Sequence, residues 1–188
     1  AFPPTGWWVD DLLDPDGSFA AGWDYNYNII DGSDPRGNFS TGDGGAAHVD
    51  TDVRPSGSSG LYDIALVSPE FGIPAGATLD YVMNYRPLGG DHSHVELTVD
   101  GGATWISLAD YTTIQGTAPA YPYSADEALG AALTHDLSAY EGMTGQARWR
   151  YEGDGWNWWT QIDDVVVTPE PTALALLGLG GLALLRRR

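Results

Sequence analysis

The chain has no cysteine, and its eight basic residues include no lysine: every cation is an arginine. The missing thiols remove disulfides, thiolate metal sites and a cysteine nucleophile, and a lysine nucleophile is excluded as well. Positive charge is scarce, with 8 Arg against 26 Asp and Glu in 188 residues, a net charge of −18. A surface of that sign repels a polyanion, so no nucleic-acid partner is expected. Catalytic signatures are missing too: there is no GxSxG, HExxH or P-loop pattern, and scattered carboxylates do not by themselves define a glycosidase pair. The expectation is a protein that is not an enzyme.

What remains has the size of one domain with a real core, and 8 Trp, 10 Tyr and 4 Phe supply bulk where disulfides do not. The chain opens AFPPTGWW, with neither an initiator Met nor an apolar leader, as a chain numbered after signal-peptide removal would. Along the first sixty residues DLLDPDGS, DGSDPRGN, STGDGG and RPSGSSG read as turns, hence as long loops. Strands follow, bounded by Gly, Pro and Asp: LYDIALVS, ATLDYVMNYR, SHVELTVD, TWISLAD, QARWRYEG and TQIDDVVVT. Period-two alternation places Leu79, Tyr81, Met83 and Tyr85 on one face, likewise Val95, Leu97 and Val99, and likewise Ala147, Trp149 and Tyr151 with Arg148 and Arg150 opposite. A helix of at most two turns is expected in SADEALGAAL, where Ser124 and Glu127 have capping-box spacing. The absence of a βαβ rhythm argues for an all-β fold, antiparallel sheets packed face to face. TVDGGATW reads as a hairpin turn, with Asp100 bonding backbone amides and Trp105 packing beneath.

The last stretch, TPEPTALALLGLGGLALLRRR, has one apolar run from Ala173 to Leu185 closed by Arg186, Arg187 and Arg188. As a helix it spans roughly 20 Å, short of a ~30 Å hydrocarbon core, though snorkelling arginines lengthen its reach and hold that end on the cytoplasmic side. Removing residue 169 onward takes three Arg and Glu170 away, so the body keeps five Arg against 25 acidic residues, net −20. Such a body attracts cations, calcium among them.

Pro169, Glu170 and Pro171, a short apolar helix and a terminal Arg cluster together resemble the PEP-CTERM sorting tail. That resemblance implies export, a transient transmembrane anchor in the inner membrane, processing by an exosortase, and an exopolysaccharide setting. The rest of the chain, in FPPTGW, LVSPEF, VELTVDGGATW, HDLSAY and ARWRYEGDGWNWWTQIDDVVV, resembles the choice-of-anchor J domain, a relative of MAM domains. It implies an antiparallel jelly-roll β-sandwich of the concanavalin or MAM type over residues 1–168, ahead of the tail at 169–188, and a non-catalytic extracellular module. Family members usually carry a further strand ahead of FPP, which this chain does not show.

Three sets of residues are candidate sites. Asp50 and Asp52 in HVDTDV, with Asp163 and Asp164 in QIDDVVV, offer paired carboxylates to a calcium ion, which needs six to eight oxygens. Neighbours in a strand face opposite ways, so one of Asp163 and Asp164 would point inward and need a partner, a proton or a metal. MAM-like relatives imply a structural cation near this strand; the other reading is that these carboxylates are solvated or bonded to Trp, Arg or amides. His92, His94 and Glu96 share one strand face, a spacing that suits a transition metal if His48 or His135 comes near, and that equally suits a solvent-facing polar row. Trp156, Trp158 and Trp159, with Tyr121 and Tyr123, form a possible stacking platform for sugars, Trp156 being the member expected at the rim and one of the GWNWW tryptophans in the core. The expected function is an exported surface or extracellular-matrix protein, structural or ligand-binding. The alternative is a carbohydrate-binding module, with a metal-dependent enzyme ranked below both.

Overall fold

A computed structural model describes residues 3–13, 46–50, 61–86, 90–112, 131–154 and 159–169. Within them ten strands form: β1 (Trp8–Asp11), β2 (Ala47–Asp50), β3 (Leu61–Val67), β4 (Phe71–Gly72), β5 (Thr78–Arg86), β6 (His92–Thr98), β7 (Ile106–Thr112), β8 (Ala131–Asp136), β9 (Thr144–Asp154) and β10 (Trp159–Thr168). Their pairing is antiparallel throughout. One sheet runs β1-β3-β9-β6-β7 with β4 added beside β9, and the other runs β2-β10-β5-β8.

The alternation explains why these segments are strands. Leu79, Tyr81, Met83 and Tyr85 on β5, Val95 and Leu97 on β6, and Ala147, Trp149 and Tyr151 on β9 are all buried in one core. Trp149 sits at its centre, stacked on Trp7 at 5.8 Å between ring centroids and met edge-on by Tyr81 at 5.4 Å. Filling the core with rings does the work that disulfides do in smaller secreted domains. The Ser93 and Thr160 hydroxyls meet at 3.5 Å between the sheets.

Three expectations need correction. The first sixty residues, read as long loops, hold strand β1 at Trp8–Asp11, while Ala47–Asp50 pairs as β2 and sets Asp50 on a strand as expected. The predicted helix over SADEALGAAL ends inside a strand: Ala131, Ala132 and Leu133 open β8, paired along β5. Cross-strand contact with β5 overrides the local helical preference there, and Ser124 and Glu127 lie outside the described residues.

Neither Asp163 nor Asp164 points inward. The register of β10 against β5 slips by one residue between Asp163 and Val166, and Asp164 takes a left-handed φ of 52°. This is a β-bulge, in which one residue leaves the ladder. Ile162 and Val167 face the core on either side, Asp163 pairs across from Val82, and Asp164 is exposed.

Finally, Trp105 lies half-buried under the Arg148 guanidinium, whose central carbon is 4.2 Å from the ring centroid. The hairpin itself forms as expected: the Asp100 carboxylate accepts from the Thr98 hydroxyl at 2.8 Å and the Thr104 amide at 2.9 Å, and Gly101 and Gly102 take φ of 72° and 90°. Bonds from Thr104 above all hold the Asp100 carboxyl down to about 2.

Candidate functional site

The outer face of the larger sheet carries an unusual density of polar side chains, laid across its strands by register. On β9 the core-facing residues alternate with Arg148, Arg150 and Glu152, and β6 sets Glu96, His94 and His92 directly beside them. Asp63 on β3 is paired with Glu152. Each guanidinium meets carboxylates: Arg148 Nε donates to Glu96 at 2.6 Å, and Arg150 donates to both oxygens of Asp63 at 2.6 and 2.7 Å and also to Glu152. The bidentate bond to Asp63, outweighing partial burial, raises the Arg150 pKa further above its ordinary value. A forked pair of this kind fixes geometry as well as charge.

His94 is the more enclosed of the two histidines, its side chain 13% exposed against 39% for His92. Its Nε2 lies 3.0 Å from Glu152 Oε1, which sets that nitrogen as the protonated one and turns Nδ1 the other way. There Asp110 of β7 stands, with Oδ1 3.4 Å from His94 Nδ1 and 3.4 Å from His92 Nδ1. The two imidazole rings are stacked, centroids 5.7 Å apart and planes 12° from parallel.

The expected triad of His92, His94 and Glu96 therefore divides. The histidines converge, Glu96 is taken by Arg148, and the third donor is Asp110. His48 and His135 lie in the other sheet, where His135 Nε2 is hydrogen-bonded to the Tyr81 hydroxyl at 2.8 Å. Counting by twos from the core-facing Ile106 turns Asp110 inward. An irregularity between the Val95–Ala109 and Glu96–Ser107 pairs inserts Leu108 as an extra residue, and Asp110 comes out opposite His94.

Beside this row, at the Gly153 end of β9, lies a cleft of about 420 Å³ whose lining includes Leu61, Tyr62, Asp63, His92, Glu152 and Gly153. Its floor rests on a buried carboxylate that sequence reasoning missed: Asp91 Oδ2 accepts from the hydroxyls of Tyr85 and Tyr151, each at 3.1 Å. Burial first, and then the Asp91 charge, push the Tyr85 phenol well above its ordinary range, so it stays a donor. Gly153 is required there, since a Cβ would stand 2.5 Å from the Tyr62 hydroxyl oxygen and 3.0 Å from the Asp91 backbone.

The other candidates are not gathered. Asp50 pairs with Trp159, four positions along β10 from Asp163, a separation of about 13 Å at the strand rise. Asp52, Trp156, Trp158, Tyr121 and Tyr123 lie outside the described residues, as do Glu170, Pro171, Arg186, Arg187 and Arg188. Trp159 is fully buried, in line with one core tryptophan in GWNWW. Among the described residues, no helix is long and apolar enough to cross a membrane.

Strand β10 ends at Thr168, at the threshold of Pro169. Residues 167–188 match the PEP-CTERM protein-sorting motif. The PEP-CTERM motif implies an exported, surface-directed protein processed by an exosortase, and it begins on the last two residues of the final strand. No curated protein matches the chain. Solved structures do: the K1 cleaved adhesin domain of Lys-gingipain from Porphyromonas gingivalis W83 is similar at 17% identity and a TM-score of 0.60, covering 89% of this chain and 92% of that one. The K3 cleaved adhesin domain of the same protein is similar at 21% identity and a TM-score of 0.55, covering 89% and 93%. At such identities the likeness establishes a shared β-sandwich fold.

Proposed function

We propose that this PEP-CTERM chain is a non-catalytic binding module, a choice-of-anchor J or MAM-like jelly-roll sandwich through residue 168 released from its tail by exosortase. Its place is the cell surface or the extracellular matrix, after a transient stay in the inner membrane. The observation that carries the reading is the sorting motif joined directly to strand β10 of the two-sheet core. Its relatives in fold are named adhesin domains, which supports attachment as the task.

The ligand class that suits the surface is exopolysaccharide. The cleft has the volume of a small-ligand site and joins apolar walls, Leu61 and Tyr62, to fixed acceptors, Asp63 and Glu152, the combination that orients a hydroxyl-rich ring. In sequence the GWNWW tryptophans follow directly on β9, and Trp156, Trp158, Tyr121 and Tyr123 are the aromatics we propose for stacking on sugars. Calcium enters as a structural ion at Asp50 and Asp52, supported by the excess of carboxylates; chelation would then lower the melting temperature.

A glycan array probed with the full chain tests the reading. Retention of neutral glycans by the wild type, lost in Trp156→Ala and weakened in Glu152→Gln, is the expected result. Glycan binding that survives substitution of every one of these aromatics and of Glu152 removes the cleft as the contact.

A further inference from the structure

We propose that His92, His94 and Asp110 bind one divalent transition-metal ion, zinc being the best fit, on the outer face of the larger sheet. Their donor atoms lie within 4.8 Å of one another. One oxygen, Asp110 Oδ1, is 3.4 Å from both Nδ1 atoms. That is long for an N–H···O hydrogen bond, which peaks near 2.9–3.0 Å. It is the edge of a tetrahedron: bonds of about 2.0–2.1 Å to zinc place neighbouring ligand atoms about 3.3–3.4 Å apart.

The surroundings complete the arrangement. A metal-bound imidazole needs its other ring nitrogen held by an acceptor, and Glu152 Oε1 takes that role for His94 at 3.0 Å. Glu152 is itself held by Arg150, which Asp63 fixes from the far side. Four carboxylates and two guanidinium groups make up the paired network of Asp63, Glu96, Asp110, Glu152, Arg148 and Arg150, leaving two negative charges for a divalent ion to neutralise. Two imidazoles and one carboxylate are borderline donors that select zinc, copper or nickel over calcium, which requires an all-oxygen shell. The His92 and Asp110 side chains are 39% and 49% exposed, so the fourth position opens to solvent.

The site is independent of any glycan, and metal alone is the probe. Calorimetric titration of the full chain with zinc chloride is expected to give one saturable site, and cobalt substitution to give the visible absorption of a tetrahedral centre. His92→Ala, His94→Ala and the double variant are each expected to lose at least about 100-fold in affinity, more than the roughly 10-fold loss in Glu152→Gln, whose side chain acts only through His94. His135→Gln serves as the control that keeps binding, and circular dichroism verifies folding of each protein. Because His94 is well enclosed, the more exposed Asp110→Asn and His92→Gln report the same loss without risk to the core. Zinc binding undiminished in the double variant or in Asp110→Asn, or no saturable binding by the folded wild type, overturns the proposal and leaves an ordinary histidine–aspartate contact.

Discussion

Burial pushes the His135 imidazole below its ordinary pKa, and the negative charge of nearby Asp80 restores only part of the loss. The reason is local: the ring stacks on Tyr81 at 5.6 Å and its Nε2 lies 2.8 Å from the Tyr81 hydroxyl, so the imidazole is partly withdrawn from the water that would solvate a positive charge. The sign follows. The unfolded chain takes up this proton at the ordinary pKa of about 6.5, the folded chain at a lower pH, so acidification through the window below about 6.5 favours the unfolded state. The melting temperature of the wild type is therefore expected to fall between about pH 7 and pH 5, with a smaller fall in His135→Gln, whose amide can bond Tyr81 in either sense but does not titrate. Parallel pH profiles for the two proteins would assign the dependence to other groups.

Among elements, β5 is tied to both of its neighbours by one carboxylate. Asp80 accepts from Thr78 on its own strand at 2.7 Å, from Thr134 of β8 at 2.7 Å and from Thr168 of β10 at 2.8 Å. Partial burial raises this carboxyl, but the three hydroxyls outweigh it and the net shift is downward. Asp80→Ala should destabilise the sandwich by about 1 kcal/mol, a figure kept low because water screens the site. Since the folded pKa lies below the unfolded one, the carboxylate contributes fully above about pH 4 and less as acid protonates it. Denaturant unfolding at pH 7 and pH 3 reads both effects, and the difference between Asp80→Ala and wild type should shrink in acid.

The same scale decides what was legible beforehand. Alternation exposed the core faces of β5, β6 and β9, because each has one polar and one apolar side, whereas β3, β7 and β10 were marked as strands by apolar runs between Gly, Pro and Asp without a core face being assigned. β8 was hidden by good helix formers, Ala131, Ala132 and Leu133, whose strand conformation comes from pairing with β5. Bulges hid the rest. One extra residue near Leu108 brings Asp110 to the histidines, another at Asp164 turns the Asp pair away from the core, and period-two counting is blind to both. His92 and His94 were visible from spacing, whereas Glu152 and Asp63 join them by strand order, which no local pattern encodes.

For the whole molecule, charge and address point the same way. A body of net −20 stays soluble by self-repulsion once outside the cell, and the three terminal arginines put the opposite sign at the end of the sorting motif. The matched motif starts at residue 167, while Thr168 is still clamped by Asp80, so cleavage near Pro169–Pro171 would leave the last strand intact. Release and folding are then separable. In a host with an exosortase, a full chain carrying an internal epitope is expected at the surface or in the medium, shortened by about the mass of the tail; replacing Arg186, Arg187 and Arg188 with Ala, or Glu170 with Ala, should hold it unprocessed with its sandwich melting unchanged. Equal processing of the wild type and both variants would mean that the tail is not read as a sorting signal, and a wild-type chain found whole in the cytosol would remove export itself.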